Sequence, residues 1–292
     1  MPEEQIMIDI NDLTIAVIGA GGKMGQRVSN NFKTTQAKVF YAEASPVGQE
    51  RVRALGLEVT PTQEAVITAD VVVLAVPDTV LGSVSEQVVP LMKSGAILMT
   101  LDPAAAYAGL LFTREDIEFV CAHPAHPSIF LERTTKEEYA DTFGGIAAPQ
   151  NVVAAVESDS GDVTERADVI IRAMYAPVID VHWVTIKQLA VLEPTLVETI
   201  ACMIGELLKE ALEETVNTVG VPRPAAEALF YGHIQVALAN ALRGDNPFSE
   251  ACHIAMGHGR EMIVKDDWKR VFDDAVLDDT ITKMLKIDAI RR

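Results

Sequence analysis

Residues Leu13–Gly25 read LTIAVIGAGGKMG. Leu13–Ile18 is a β-branched apolar run with the pattern of a buried strand, Gly19–Gly25 is a glycine-rich turn, and Lys23–Phe32 carries the amphipathic spacing of a helix. Strand, glycine turn and helix in that order open a doubly wound sheet. Glycines allow the tight turn and the close approach of a pyrophosphate, whose charge a helix start favours. The string parses as GxGGxxG, one residue longer than the usual GxGxxG, or as GxxGxxG through Gly19, Gly22 and Gly25.

Working outward, Lys38–Glu43, Leu57–Thr60, Ala69–Val76, Ala96–Leu101 and Ile117–Ala122 read as further strands. Val47–Leu55 and Val80–Met92 read as helices between them, and Asn151–Val156 and Val178–Val184 as strands flanking a helix at Val163–Met174. The run ADVVVLAV at 69–76 is apolar almost throughout, as expected of a strand covered on both faces. After Trp183 the pattern is helical: Thr185–Thr218 as one long stretch containing Pro194, then Arg223–Leu242 closed by Gly244, then shorter helices. The expected architecture is an α/β, Rossmann-like domain over 1–183 with a doubly wound, mostly parallel sheet, followed by an all-α domain over 184–292 for substrate binding and dimerisation.

The charge balance excludes some functions. Among 292 residues there are 24 Lys and Arg against 42 Asp and Glu, a formal net charge of −18. Such a chain lacks the basic face that nucleic acid or an anionic membrane requires. Through Trp183 there are 25 acidic and 12 basic residues, so a phosphate bound in that half must be held mainly by backbone N–H groups. Cys121, Cys202 and Cys252 lack CxxC spacing, and Met1–Asp12 carries Glu3, Glu4, Asp9 and Asp12 where a secretory leader would be basic. No apolar run reaches the length of a membrane span. A cytoplasmic protein is expected.

The second strand ends in Glu43, 24 residues after Gly19, where a carboxylate accepts both hydroxyls of a ribose. The following Ala44-Ser45-Pro46 offers no Arg for a 2′-phosphate, so NAD is expected rather than NADP. Val76-Pro77-Asp78 ends the next strand of the motif at the same sheet edge. The expected cofactor-binding residues are Gly19, Gly21, Gly22, Lys23, Met24, Gly25, Glu43, Val76, Pro77 and Asp78.

GAGGKMG, Glu43 and ADVVVLAVPD together resemble the 6-phosphogluconate and β-hydroxyacid dehydrogenase superfamily. Residues 69–101 are also similar to ketol-acid reductoisomerases, which couple hydride transfer to a metal-assisted carbon shift. Where those enzymes carry a His-Gly pair, this chain has Leu101-Asp102-Pro103.

Histidine and carboxylate candidates follow. His123-Pro124-Ala125-His126-Pro127 ends a strand, and a neutral imidazole there ligates a metal or takes a hydroxyl proton. Prephenate dehydrogenases resemble this with a His-Pro turn of their own. Glu193 precedes Pro194 in an apolar stretch, and Pro194 is either a helix N1 residue or a kink. The resemblance to the reductoisomerases implies metal ligands at Glu193 and His233, with the family's further carboxylate falling on Val197 beside Glu198. One divalent ion held by His123 and Glu193, with Glu198 or His233, is expected, and mixed N/O ligation suits Zn²⁺ or Mn²⁺ with Mg²⁺ as an alternative. Plainer roles remain open: Glu193 as a helix cap and His233 as a packed helix residue. His126 and Lys187 are the acid/base candidates, Lys187 by its likeness to a helix Lys of β-hydroxyacid dehydrogenases.

A resemblance to the sugar-acid oxidoisomerases of that superfamily spans nearly the whole chain and rests on LEP…ET and AHPxHP. It implies NAD-dependent oxidation of a branched sugar acid at a hydroxyl, with metal-assisted migration of a carbon group, in a homodimer joined through the C-terminal helices. The competing expectations are a simple NAD-dependent hydroxyacid dehydrogenase without rearrangement, and a non-enzymatic NAD-sensing protein.

Overall fold

The computed structural model describes residues 8–157 and 161–292. Glu3 and Glu4, read above as arguing against a leader, lie outside the described residues. Contacts divide the chain into two compact units, 1–190 with 280–292, and 191–279. The first unit thus extends past the sequence boundary at 183 and takes back the C-terminus. The cause is local. Helix α8 (Ile186–Ala190) buries Ile186, Leu189 and Ala190 and packs on α5 (Ala104–Tyr107) and β6 (Gln150–Val156). At the chain end, the Arg291 N–H donates to the Ala108 carbonyl at 2.9 Å, and the Arg292 guanidinium lies 3.8 Å from the Tyr107 ring centroid.

The first unit is built on a seven-stranded sheet. Its strands are β1 (Thr14–Ile18), β2 (Lys38–Ala42), β3 (Val71–Leu74), β4 (Ile97–Thr100), β5 (Glu118–Pro124), β6 and β7 (Val178–Val184), in the order β2-β1-β3-β4-β5-β6-β7. All pairings are parallel except the antiparallel β5–β6 pair. The expected strand at 57–60 is reduced to a single bridge between Tyr41 and Val59, because only the Thr60 N–H reaches the Tyr41 carbonyl (2.8 Å). Helices α1 (Lys23–Phe32), α2 (Pro46–Ala54), α3 (Thr62–Ile67), α4 (Asp78–Val88), α5, α6 (Lys136–Ala140) and α7 (Gly161–Met174) accompany the strands.

Two apolar clusters cover the sheet's faces. One gathers Ile15, Val17, Val28, Phe32, Val71, Val73 and Met99; the other gathers Ala16, Ile18, Val72, Leu74, Leu81 and Leu98. Successive residues of β1 and β3 alternate between the two clusters, which is why these strands read as continuous hydrophobic runs. The chain leaves β1 for β2 on one side and reaches β3 on the other. The carboxyl ends of β1 and β3 therefore border a switch-point crevice.

The second unit is helical. Its first segment, Val191–Cys202, is π-helical and contains Pro194. Proline has no N–H to donate and its ring crowds the carbonyl one turn earlier. Wider i→i+5 turns accommodate it, and the Thr199 hydroxyl donates to the Pro194 carbonyl at 2.7 Å. Helices α9 (Met203–Asn217), α10 (Arg223–Arg243) and α11 (Glu250–Ile263) follow, with α12 (Asp274–Leu285) running from this unit into the first. Arg223 makes a two-pronged ion pair with Glu213 (3.0 and 2.8 Å), tying the start of α10 to α9. Gly244 ends α10 in the left-handed conformation, as its place in the sequence predicts.

Candidate active site

The glycine turn is shaped by what surrounds it. Gly19 has φ +84°, and a Cβ there would stand 2.6 Å from the Ala75 carbonyl oxygen, so only glycine lets β1 turn beside the end of β3. Gly22 caps α1, whose first-turn N–H groups, from Lys23 to Gly25, have no acceptor within the helix. The Gly21 N–H is directed elsewhere: it donates to Glu43 Oε2 at 3.0 Å. The second carboxylate oxygen, Oε1, accepts from the Ser45 N–H at 2.9 Å. Glu43 is thus held by two backbone amides at the tip of β2, and Gly48 in α2 lies so close that a Cβ there would meet Glu43 Cδ at 2.5 Å. Three amides at the helix start and a fixed carboxylate beside them suit a pyrophosphate and a ribose. Arg51, which local sequence pattern does not connect to the glycine turn, is brought near by α2; its Nη1 lies 3.5 Å from the Gly21 carbonyl oxygen. Across the crevice, Val76 and Asp78 are half-buried and Pro77 is exposed. Burial raises the Asp78 pKa against the lowering effect of its backbone hydrogen bond.

The His-Pro turn lies at the same edge, where β5 ends. His123 Nδ1 is 2.9 Å from the Leu101 carbonyl oxygen. A carbonyl only accepts, so Nδ1 carries the proton and Nε2 keeps its lone pair. Burial pushes the His123 pKa down to about 4, with the Leu101 hydrogen bond opposing and His126 adding to the fall. A neutral imidazole fixed by a backbone carbonyl is the usual state of a metal-ligating histidine. Asp102, just past β4, brings a carboxylate oxygen within 4.8 Å of the His123 ligand nitrogen, while its Oδ1 accepts from the Ala104 N–H at 2.8 Å. Asp102 was not among the residues expected from sequence. The available signal was its position, at the strand end where the reductoisomerase pattern has histidine.

His126 has φ +60°, and its Nδ1 lies 2.8 Å from the Phe143 carbonyl oxygen. That carbonyl belongs to the loop 141–148, which is organised around one buried carboxylate. Asp141 accepts from the N–H groups of Gly144 (2.9 Å), Ile146 (3.1 Å), Ala147 (2.8 Å) and Ala148 (3.1 Å). Lys187 is exposed on α8. In the second unit, Glu193 is buried at 6% exposure within the π-helical segment, so Pro194 sits inside that segment and is not an N1 residue. Glu198 and His233 are exposed. His233 Nδ1 lies 2.8 Å from the Leu229 carbonyl oxygen on its own helix.

A switch-point crevice with a phosphate-ready helix start and a sugar-ready carboxylate, flanked by an imidazole turn, defines a nucleotide-dependent oxidoreductase. Two family models match the chain: acetohydroxy acid isomeroreductase, NADPH-binding domain, over residues 9–176, and phosphogluconate dehydrogenase (decarboxylating) C-term over residues 131–285. The chain is 59% identical to the D-apionate oxidoisomerase of Pectobacterium atrosepticum over 279 residues, covering 96% of this chain and 98% of that one. It is 40% identical to the D-apionate oxidoisomerase of Blautia hydrogenotrophica, covering 94% and 98%. Among solved structures, a semialdehyde dehydrogenase NAD-binding protein from Cupriavidus necator, in complex with calcium and NAD, superposes with a TM-score of 0.89 at 38% identity, covering 93% of this chain and 99% of that one. The chain belongs to the D-apionate oxidoisomerase family.

The loop that carries Phe143 depends on an ionised Asp141. Burial works to raise its pKa, but the four N–H donors outweigh burial and hold the carboxyl below the usual carboxylate range. The stabilisation is therefore complete above the unfolded-chain value of about 3.9 and is lost as pH falls through the lower folded value. Asp141→Asn removes one acceptor oxygen. It is expected to cost about 1–3 kcal/mol at neutral pH and to flatten the acid side of the stability profile, as read by urea unfolding between pH 3 and pH 7.

Proposed function

We propose that this chain oxidises a branched sugar acid of the D-apionate kind with NAD, and that a carbon group migrates in the same turnover with help from a divalent cation. The observation that carries the reading is the anchored His123 imidazole with the Asp102 carboxylate close by, at the sheet edge that also bears the nucleotide cradle. When bound, NAD supplies the hydride acceptor, and a divalent ion supplies a Lewis acid for the substrate's oxygens.

The chain's own groups divide the work. Amides from Lys23 to Gly25 bind the pyrophosphate, and Glu43 accepts the ribose hydroxyls while keeping its bonds to Gly21 and Ser45. His123 and Asp102 offer the cation one imidazole nitrogen and one carboxylate, Glu193 is the second carboxylate that the likeness to the reductoisomerases implies, and such a mixed N/O set fits Mn²⁺, Zn²⁺ or Mg²⁺. His126, with its proton on Nδ1, takes the hydroxyl proton at Nε2. Lys187 and Glu198 have no part in this reading. The cation also answers an electrostatic need, because an anionic substrate must approach a protein of net charge −18.

The relatives support the substrate class, and the Cupriavidus necator structure, with calcium and NAD, supports the cofactor and a divalent ion. An acylating semialdehyde chemistry is disfavoured because Cys121 is fully buried in the sheet. A hydroxyacid dehydrogenase without rearrangement needs no cation, and an NAD sensor has no use for an anchored imidazole and carboxylate beside the nucleotide cradle. The matching family's description names NADPH, but the carboxylate of Glu43 repels a 2′-phosphate, and NAD is the cofactor proposed. The apolar side chains that α10 and α11 leave exposed, including Leu229, Tyr231, Leu242, Ile254 and Met262, support a homodimer joined through these helices. In such a dimer His233 serves the partner's site or packs at the interface. Free cysteines throughout are compatible with a reducing cytoplasm.

Three outcomes are expected. D-Apionate supports NADH formation with a rearranged oxo-acid product; chelation abolishes it, Mn²⁺, Zn²⁺ or Mg²⁺ restores it, and His123→Ala lowers kcat/KM by at least about 100-fold. Full activity after exhaustive chelation would remove the metal from the reading. Glu43→Ser raises the KM for NAD about tenfold or more and narrows the preference over NADP, since a bidentate ribose contact of roughly 1.5–3 kcal/mol is lost. Light scattering gives twice the 31.6 kDa chain mass; a stable monomer would count against the helical interface.

A further inference from the structure

The imidazole of His126 is connected to the nucleotide-binding helix through a continuous set of groups in the first unit. His126 holds a left-handed backbone conformation, φ +60°, which residues with a Cβ rarely adopt. Its Nδ1–H donates to the Phe143 carbonyl at 2.8 Å. Its ring lies 4.3 Å from the Phe143 ring, tilted by 47°. The Arg27 guanidinium lies 4.2 Å from the centroid of that same Phe143 ring, and Arg27 Nη1 donates to the neighbouring Gly144 carbonyl. Arg27 stands on α1, four residues after Lys23, on the helix whose first-turn amides are proposed to bind the pyrophosphate. A cation over an aromatic face is attracted by the ring's quadrupole. Arg27 therefore grips both the Phe143 ring and the peptide after it.

We propose that Arg27 and Phe143 are positioning residues for His126. They hold its proton on Nδ1 and its lone pair on Nε2, and they link its orientation to α1. This rests on the reading of His126 as the base. A neutral imidazole free in water prefers the opposite tautomer, with the proton on Nε2, which could not accept a proton there. The Phe143 carbonyl reverses that preference, and Arg27 fixes the carbonyl's place. When the substrate's hydroxyl proton moves from oxygen to Nε2, the ring becomes an imidazolium and the bond from Nδ1–H to Phe143 becomes charge-assisted, which strengthens it as the reaction proceeds. The arrangement supports the charged state of the base without a carboxylate partner, in a domain already rich in negative charge.

The test uses the full-length protein labelled with ¹⁵N-histidine, the His126 signals being identified by their loss in His126→Gln. Long-range ¹H–¹⁵N spectra of the wild type are expected to show the Nδ1–H tautomer. In Arg27→Met, which keeps the side chain's length, and in Phe143→Leu, the signals are expected to move toward the Nε2–H pattern. In both variants kcat should fall about 10- to 100-fold while the KM values for NAD and sugar acid stay within about twofold, and Arg27→Lys should recover part of the loss because an ammonium still sits over the ring. A wild-type Nε2–H tautomer overturns the proposal. So does an unchanged tautomer in whichever of the two variants folds, whatever happens to kcat. If instead the tautomer shifts as expected but His126→Gln retains activity, the positioning stands and the assignment of His126 as base fails.

Discussion

Gly19 leaves β1 with a positive φ, pressed against the Ala75 carbonyl at the end of β3, and the carboxyl edge of the sheet is organised around that turn. Because the chain reverses so tightly, α1 begins directly over the switch point. Its unsatisfied first-turn amides then face the crevice, and Gly21 comes close enough to donate to Glu43. A side chain at Gly19 would push the turn off β3 and separate the two halves of the cradle. The groups this turn offers an anion are backbone amides, because the surrounding side chains carry a large excess of carboxylates.

The same shortage of positive charge shapes the imidazole turn. His123 and His126 are both tied through Nδ1 to backbone carbonyls, of Leu101 and Phe143, and not to carboxylates. Each imidazole thereby presents Nε2 with its lone pair, ready for a cation or a proton. The carbonyls are held in turn by structure that carries no net positive charge: the end of β4 for Leu101, and for Phe143 a loop gathered around Asp141. Arg27 is an exception. It is a cation placed against an aromatic ring and a carbonyl, without an ion pair to an acid among the described residues, and its charge supports the loop.

Much of this was legible in the chain itself. Strands at Leu13–Ile18, Ala69–Val76 and Val178–Val184, the helix at Lys23–Phe32 and the Gly244 stop all follow from local physics. Alternation into two covered faces demands continuous apolar residues, and a left-handed helix end demands glycine. The strand expected at Leu57–Thr60 failed because edge pairing needs a run of backbone partners and only one bridge forms there. Pro194, expected at a helix N1 position or a kink, lies within π-helical turns, whose wider spacing absorbs the missing N–H.

Local pattern determined the sheet, the glycine turn, the carboxylate at the end of β2 and the imidazole turn, because strand period, turn torsion and helix capping act over a few residues. Tertiary structure decided which of those groups meet. Asp102 lies 21 residues from His123 in sequence, yet parallel pairing of β4 with β5 sets their strand ends side by side. Arg27 and Phe143 are 116 residues apart, and they touch because the 141–148 loop folds onto α1. Arg51 reaches the glycine turn only through the packing of α2. Side-chain chemistry was written in the chain, but proximity across such separations is a property of the sheet order and of the loops it forces together.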